Sequence, residues 1–267
     1  MYIQITSKCN MRCPHCIFSC SSRGRHMTLD TFRRTVRLAI SYNQEVYLGG
    51  GEPTLHPQLW EFIGLSLKAN ALLSQQHNKN LTGLVTNGTN RDISLRLAAL
   101  ADIGALSVRL SNDAHHDHTM VDSEVREAFK AVFSFTSARV CSSKECVDSI
   151  VAMIPLGRAK RHHYTKEFPP DGCGAEVHVD PDGRVWRCSC RKERIGNVRR
   201  GILPQFREMM NGLTDTHALG CSSLHVPLAS VRYDRTLELD EQCWAGPLED
   251  FGRWVRGHKG WVFQRQP

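Results

Sequence analysis

Strand-like and helix-like segments alternate about five times over the first 165 residues of this 267-residue chain. The stretch YIQIT at residues 2–6 is typical of a strand, and residues 27–41 carry apolar side chains at helical spacing. Consecutive parallel strands need a connection of about a dozen residues or more, which a helix usually supplies. The alternation therefore predicts an α/β fold in which helices cover a parallel sheet, either open or curled into a partial barrel.

The pattern changes at about residue 165, where EFPPDG at residues 167–172 indicates a linker. Two alternating runs at residues 176–188 surround a Pro-Asp-Gly turn, which is typical of a β-hairpin. We therefore expect a core domain over residues 1–165, followed by a small α+β module and a tail over residues 166–267.

The carboxyl ends of the predicted strands carry residues that are suited to chemistry. Parallel α/β folds bind their ligands at that edge of the sheet. The segments that fall there are a cysteine-rich loop after the first strand, GGGEPT after the second, TNGT after the third, SNDAHHD after the fourth and PLGRA after the fifth. We expect the functional site at this edge.

Cys9, Cys13 and Cys16 stand at the spacing C-x-x-x-C-x-x-C just after the first strand. Three thiolates in one short loop can bind three irons of a [4Fe–4S] cluster and leave the fourth iron open. Zinc is the alternative interpretation, because a structural zinc site takes four ligands and His15 or Cys20 could supply the fourth. Both interpretations place a metal centre in this loop.

The start of the chain shows no basic segment followed by an apolar stretch, and no apolar run reaches the length of a membrane span. We therefore expect a cytoplasmic protein with no membrane partner. In a reducing compartment the 11 cysteines favour metal binding or catalysis over disulfides. The net charge of +7 is spread along the chain, which allows RNA or an anionic substrate without requiring either.

The segment CNMRCPHC at residues 9–16 resembles the signature C-x-x-x-C-x-aromatic-C of the radical S-adenosylmethionine (radical SAM) enzymes, with His15 in the aromatic place. A second feature of that family, GGEP after the second strand, is matched at residues 50–53. The resemblance implies a partial (β/α)6 TIM-like barrel with a catalytic [4Fe–4S] cluster on the three cysteines of this segment. It also implies S-adenosylmethionine as a cofactor, bound at the open iron and cleaved to a 5′-deoxyadenosyl radical that abstracts hydrogen from a substrate.

The cofactor contacts follow from the same resemblance. Carbonyl groups near Gly51 and Glu52 would accept from the methionine ammonium, and the imidazole of His15 would stack on the adenine. The residues implied to bind the cofactor are His15, Gly50, Gly51, Glu52, Asn87, Ser111, Asp113 and Arg158. Taken by themselves, the glycines and Asn87 also fit plain turns, and Arg158 also fits an exposed surface.

Three histidines crowd the loop after the fourth strand. Substrate acid–base chemistry, a metal site and an exposed loop are all open interpretations for His115, His116 and His118. Because adjacent side chains rarely point the same way, we expect one or two of them to face the substrate.

A second group of cysteines lies in the C-terminal hundred residues. Together with the hairpin and the IGNV segment, it resembles the auxiliary-cluster modules called SPASM or, in short form, Twitch. The resemblance implies a second iron–sulfur cluster on ligands drawn from Cys173, Cys188, Cys190, Cys221 and Cys243. The close later pair of cysteines common in these modules is missing, so zinc at the same ligands and ordinary buried thiols are alternatives. The cysteines that match no motif are Cys20, Cys141 and Cys146.

We therefore expect a radical enzyme that oxidises or epimerises a small molecule and takes electrons from a one-electron donor such as flavodoxin or ferredoxin. The preference for a small molecule rests on the absence of a segment before the first strand that could capture a leader peptide. Radical modification or cross-linking of a ribosomal peptide or protein is the alternative. A non-enzymatic zinc module that contacts nucleic acid is the alternative from another class.

Overall fold

The computed structural model describes residues 1–77, 82–111, 116–133, 156–161, 177–189, 191, 193–200 and 203–204. The predicted fifth strand at residues 146–156 and the helix-like segment at residues 203–213 fall almost entirely outside this part of the chain. Among the described residues, no helix combines the length and the apolar character that crossing a bilayer requires.

Strands and helices alternate through the described part of the core, as the sequence predicts. The core strands are β1 (Tyr2–Thr6), β2 (Tyr47–Gly50), β3 (Gly83–Thr86) and β4 (Ser107–Leu110). The helices are α1 (Leu29–Ser41), α2 (Leu59–His77), α3 (Arg91–Asp102), α4 (Ser123–Phe133) and the short α5 (Gly157–Arg161). Short 3-10 turns cover Pro53–Leu55 and His118–Met120. The C-terminal strands are β5 (His178–Val179), β6 (Arg184–Trp186) and β7 (Arg194–Asn197).

The strands form one sheet in the order β4–β3–β2–β1–β5–β6–β7. Strands β1 to β4 pair in parallel and β5 pairs in parallel with β1, whereas β6 and β7 run antiparallel. Within the described residues the sheet does not close on itself, which confirms the predicted α/β class with an open, partial barrel. The predicted hairpin is present as β5 and β6, and it continues the core sheet across β1.

Local sequence explains the first helix and its packing. The side chain of Thr28 caps α1 by accepting from the backbone N–H of Thr31 at 3.3 Å. On the buried face of α1, the ring of Phe32 stacks on Phe62 of α2 with 3.9 Å between ring centroids. The apolar stripe read from the sequence is thus the face that packs α1 against its neighbour.

The alternation of β1 separates the hydrophobic core from the site. Ile3 and Ile5 are fully buried on one face of the strand, in the core cluster that includes α1 and α2 residues. Tyr2 and Gln4 point to the other face, since successive strand residues alternate. That second face is polar, and it borders the cavity described next.

Candidate active site

The carboxyl ends of β1 to β4 border a cavity of about 340 Å³. The sequence-predicted residues that line it are Cys9, Cys13, His15, Cys16, Gly50, Gly51, Glu52, Asn87, Ser111 and Arg158. Further lining residues are Tyr2, Ile17, Cys20, Val85, Thr86 and His116. The structure thus brings together the three cysteines and every predicted cofactor contact that it describes, while Asp113 lies outside the described residues.

Backbone hydrogen bonds hold the loop that carries the three cysteines. Cys9 N donates to Ser21 O at 3.0 Å, and Cys16 N donates to Cys13 O at 3.2 Å. Arg12 adopts the left-handed backbone region at φ 55°, which residues other than glycine rarely occupy. Cys9 is buried, whereas Cys13 and Cys16 are half-buried, so two of the three thiols remain accessible to an incoming metal.

Arg158 braces this loop from α5. Its Nε donates to Cys13 O at 2.8 Å and its Nη1 donates to Cys20 O at 2.7 Å. The backbone N–H of Arg158 also donates to Cys16 O at 3.0 Å. Hydrogen bonds from a charged donor are stronger than neutral ones. The guanidinium therefore fixes the loop on both sides of Cys16, a contact that the sequence interpretations of Arg158 did not include.

The environment shifts the pKa values of two of these thiols in opposite directions. Burial raises the pKa of Cys9. A hydrogen bond with the Cys20 side chain lowers the pKa of Cys16 to about 5, against the opposing effect of burial. The same pairing, followed by burial, raises the pKa of Cys20. Because the thiolate is the form that binds metal, the surroundings of Cys16 favour a metal ligand.

The glycine turn after β2 has a reason within the fold. A Cβ on Gly51 would lie 2.0 Å from Lys8 O and 3.1 Å from Cys9 Cβ, and one on Gly50 would lie 2.3 Å from Thr6 O. The missing side chains let β2 lie directly against the start of the cysteine loop. The resemblance implies a different role for these glycines, which is contact with the cofactor. Both glycines also line the cavity, so their contact with a cofactor stays a prediction.

The carboxylate of Glu52 is fully buried and joins β2 to β3. Its Oε1 accepts from Thr54 N at 2.9 Å and from Thr86 Oγ1 at 2.7 Å, and its Oε2 accepts from Asn87 N at 2.6 Å. Burial raises the pKa of Glu52, and the hydrogen bond from Asn87 N is the largest of the effects that lower it again. The backbone carbonyl of Glu52 accepts from Leu55 N at 3.1 Å. The side chain therefore fixes the edge of the cavity at the two strand ends.

Asn87 ties the end of β3 to the cysteine loop. Its Nδ2 donates to Asn10 Oδ1 at 3.0 Å and also faces Cys9 Sγ at 4.0 Å. Its Oδ1 accepts from Thr89 N at 3.0 Å and from Thr89 Oγ1 at 2.8 Å. Asn87 therefore both forms a turn and contributes to the site, because the turn directs its side-chain amide toward the sulfur of Cys9.

Two histidines meet at the cavity. The rings of His15 and His116 are 4.8 Å apart between centroids in an edge-to-face arrangement. Ser111 lines the same cavity. His115 lies outside the described residues, and His118 belongs to the 3-10 turn that follows. This placement favours a cofactor or substrate contact for His116 over an exposed loop.

The structure describes one of the predicted auxiliary ligands. Cys188 is buried just after β6, and its carbonyl accepts from Arg191 N at 3.0 Å. The predicted ligands outside the described residues are Cys173, Cys190, Cys221 and Cys243. The auxiliary cluster therefore stays a prediction.

Tyr2 and Gln4, on the polar face beside the cavity, were not predicted from the sequence, and Cys20 was considered only as a zinc ligand. Tyr2 lines the cavity, and burial raises its pKa. Cys20, which matched no motif, is 2% exposed and accepts from Gln4 Nε2 at 3.4 Å. A glutamine in a buried strand, two residues from a tyrosine on the same face, is the signal that could have identified this surface.

The donor set fits an iron–sulfur cluster. Cysteine thiolates are the usual ligands of such clusters, and three of them share the cavity. Hydrogen bonds to ligand sulfurs also surround such sites, and here the side-chain amide of Asn87 faces Cys9 Sγ at 4.0 Å. The residues present therefore fit a [4Fe–4S] cluster with one open iron, and their role as its ligands stays a prediction.

An open, mostly parallel α/β sheet with a cysteine-lined cavity at its strand ends is the arrangement of a partial-barrel protein that binds a ligand at that edge. The sequence profile of the Radical SAM superfamily matches residues 3–154. The chain therefore belongs to the radical SAM superfamily, whose cofactors are a [4Fe–4S] cluster and S-adenosylmethionine.

Two curated relatives are similar to the chain. It is 28% identical over 142 residues to the mycofactocin maturase MftC of Mycobacterium ulcerans, a match that covers 51% of this chain and 33% of the maturase. It is 31% identical over 117 residues to the tungsten-containing aldehyde ferredoxin oxidoreductase cofactor-modifying protein of Pyrococcus furiosus, covering 42% of this chain and 30% of that protein. The matches thus span about a third of the length of these relatives.

A solved structure supports the fold. Native anSMEcpe with bound AdoMet superposes with a TM-score of 0.50 at 16% sequence identity, over 78% of this chain and 80% of that chain. At this level of identity the likeness concerns the arrangement of helices and strands.

Proposed function

We propose that this chain binds a [4Fe–4S] cluster through Cys9, Cys13 and Cys16, and that it cleaves S-adenosylmethionine reductively to start a hydrogen abstraction from an organic substrate. The observation that carries the proposal is the shared cavity of the three cysteines and the glycine turn at the carboxyl edge of the sheet. Membership of the radical SAM superfamily supplies the class of cofactor.

The proposed role of the protein is to hold the cluster and to orient S-adenosylmethionine beside it. When bound, the cluster supplies an electron and one open iron, and the cleaved cofactor supplies the 5′-deoxyadenosyl radical. Arg158 and Asn87 fix the cysteine loop by hydrogen bonds to its backbone and to Asn10. Glu52 locks the ends of β2 and β3 together, which keeps the cavity edge in one geometry. A rigid edge orients a cofactor at low entropic cost.

The proposed cofactor contacts follow from the cavity lining. The edge-to-face pair of His15 and His116 offers ring surface to the adenine. The backbone of Gly51 and the hydroxyl of Ser111 offer polar contacts to the methionine and ribose parts, and we propose Asp113 for the same role. The guanidinium of Arg158 offers positive charge to the carboxylate of S-adenosylmethionine or to an anionic substrate.

The second module is proposed to hold one auxiliary iron–sulfur cluster. Its ligands would come from Cys173, Cys188, Cys190, Cys221 and Cys243. The observation in its favour is that Cys188 is buried beside a strand that continues the core sheet. Such a cluster would accept the electron that a substrate radical loses in a two-electron oxidation.

The proposed substrate is a small molecule that is oxidised or epimerised. The proposed electron source is an external one-electron donor such as flavodoxin or ferredoxin. Radical modification of a peptide or protein is the second candidate, favoured by the name of one relative, a maturase.

Anaerobic purification followed by iron, sulfide and zinc analysis tests the proposed function. With dithionite as reductant, the wild-type chain is expected to form 5′-deoxyadenosine from S-adenosylmethionine. The triple variant Cys9→Ala/Cys13→Ala/Cys16→Ala is expected to lose this activity and the core cluster. The control Cys141→Ala, a cysteine outside any motif, is expected to keep both.

Two results contradict the proposed function. Equal amounts of 5′-deoxyadenosine from the wild type and the triple variant would show that these cysteines do not hold the catalytic cluster. Stoichiometric zinc in place of iron would restore the non-enzymatic interpretation.

A further inference from the structure

The guanidinium of Arg191 is held in one orientation beside the polar face of β1. Its Nε and Nη2 atoms donate to His178 Nε2 at 3.2 and 2.8 Å, and Nη2 also donates to Gln4 Oε1. The guanidinium carbon lies 4.4 Å from the ring centroid of Phe18, within the range of a cation–π contact. Contacts on two edges and on one face therefore fix this group before any ligand arrives.

None of these contacts neutralises the charge of Arg191. A guanidinium only donates, so the Nε2 atom of His178 that accepts from it carries no proton and the ring is neutral. The amide of Gln4 is neutral as well. Among the residues that the structure describes, none forms an ion pair with Arg191, and Glu193, the nearest acidic residue along the chain, pairs with Arg187 at 2.7 Å. Arginine side chains removed from water are usually paired with an acid, so this cation lacks a counter-ion.

Arg191 also has donors to spare. A guanidinium carries five N–H groups, and the hydrogen bonds of Nε and Nη2 account for those on these two atoms. No described residue accepts from Nη1. The side chain is half-buried, and its Nη1 keeps exposed surface, in contrast to the Nη1 of Arg187, which is buried without a partner. The two N–H groups of this atom are therefore open to an acceptor from outside the chain.

Arg191 lies at the margin of the cavity at the strand ends. Tyr2 lines that cavity, and its ring lies 5.1 Å from the ring of His178 between centroids. Cys20 lines the cavity as well, and its sulfur accepts from Gln4 Nε2 at 3.4 Å. Tyr2 and Gln4 share one face of β1. A single side chain thus separates Arg191 from each of these two wall residues, on the face of the sheet that borders the cavity.

We propose that Arg191 binds an anionic oxygen group of the substrate, a carboxylate or a phosphate, at the margin of the cavity. The inference rests on the proposed function, in which the cavity holds the cluster and its cofactor, and it adds the chemical class of the substrate, a small anion. Such a group accepts from the two open N–H groups and supplies the missing counter-charge. Gln4 and His178 are positioning residues, because they orient the guanidinium without touching the anion.

Saturation-transfer NMR tests the anion site in the full-length protein after cluster reconstitution, with S-adenosylmethionine present to occupy the cofactor site. The probes are acetate and methylphosphonate, whose methyl groups report on a carboxylate and on a phosphate analogue. Acetamide is the neutral control probe, since it has the shape of acetate without its charge.

Two variants remove the unpaired charge in different ways. Arg191→Asn deletes the cation, and asparagine tolerates the left-handed backbone that Arg191 adopts at φ 52°. Gln4→Glu keeps the guanidinium and places a carboxylate where Gln4 Oε1 accepts from it. Arg191→Lys keeps a positive charge at the site. Arg199→Met, which changes an exposed arginine that follows β7, is the matched control.

The wild type is expected to bind at least one of the two anions more tightly than acetamide, and the more tightly bound anion identifies the recognised group. Arg191→Asn is expected to weaken this binding at least about 10-fold, because a charge-assisted hydrogen bond is lost. Gln4→Glu should weaken it by a similar factor, because the new carboxylate neutralises the guanidinium. Arg191→Lys should keep part of the binding, and Arg199→Met all of it.

Wild-type anion binding in both Arg191→Asn and Gln4→Glu overturns the anion site, and so does acetamide binding as tight as that of the anions. If Arg191→Asn does not fold, Gln4→Glu decides alone, since it changes the side chain by a single polar group. The same wild-type sample is assayed for 5′-deoxyadenosine. Its formation beside anion binding that does not depend on Arg191 leaves the proposed function standing, whereas its absence beside Arg191-dependent binding defeats the proposed function and leaves an anion site whose ligand is not a radical substrate.

Discussion

At the scale of single residues, the buried carboxylate of Glu52 has the most demanding position in the site. Its two oxygens accept from three donors, and an amide in its place would turn an NH2 group toward some of them. We expect Glu52→Gln to lower the free energy of unfolding by about 1–3 kcal/mol, because buried donors lose their acceptor. Urea denaturation measures the change, with the exposed Asp102→Asn as the control.

The same residue gives the protein a pH dependence of defined sign. Because burial raises the pKa of Glu52 above 4.5, the folded state binds more protons than the unfolded state as the pH rises from that value. The contribution of Glu52 to stability is therefore fully present at lower pH and is lost as the pH rises through its raised pKa. Unfolding free energies of the wild type minus those of Glu52→Gln should decrease over this interval, and an increase would contradict the assigned direction.

Arg158 provides a second test at the residue scale, because its guanidinium holds two carbonyls of the cysteine loop. Arg158→Met should weaken cluster incorporation about 10-fold, since residues that orient metal ligands have effects of this size. Iron bound after anaerobic reconstitution measures the loss. The exposed Arg161→Met on the same helix is expected to retain its iron, and equal loss in both variants would point to α5 as a whole.

At the scale of elements, the contact between β2 and the cysteine loop depends on a missing side chain. A Cβ on Gly51 would lie 2.0 Å from Lys8 O, so Gly51→Ala must push the two segments apart. We expect a loss of about 3 kcal/mol in the free energy of unfolding, with weakened iron binding. Gly64→Ala in α2 is the matched control, because nothing lies within 4 Å of its Cβ position. That control should stabilise the protein by up to about 1 kcal/mol, and similar destabilisation in both variants would contradict the contact.

The elements themselves could be predicted from the sequence because their signals are local. The apolar spacing of residues 29–40 predicted α1, and the Pro-Asp-Gly turn predicted the hairpin of β5 and β6. The shared cavity of the cysteine loop and the glycine turn was predictable too, since parallel strands end at one edge. The contacts of Arg158 and Arg191 were not, because they join residues far apart in the chain and leave no local pattern.

At the scale of the whole molecule, β1 connects the two predicted parts of the chain. Its partners are β2 on one side and β5 on the other, and Tyr2 N donates to Val177 O at 2.8 Å. The same strand carries Gln4, which joins Arg191 to Cys20. These contacts therefore join the second module to the strand that leads into the cysteine loop.

The proposed core cluster and the proposed auxiliary cluster should be separable by a single substitution. If Cys188 ligates an auxiliary [4Fe–4S] cluster, the wild type should hold about eight irons and Cys188→Ala about four. Cys188→Ala should keep the electron paramagnetic resonance signal that S-adenosylmethionine perturbs and should still form 5′-deoxyadenosine, because the core cysteines are intact. The control Cys146→Ala should keep the wild-type iron content. Wild-type iron in Cys188→Ala would remove Cys188 from the ligand set, whereas loss of all iron would show that the core loop cannot hold its cluster without an intact second module.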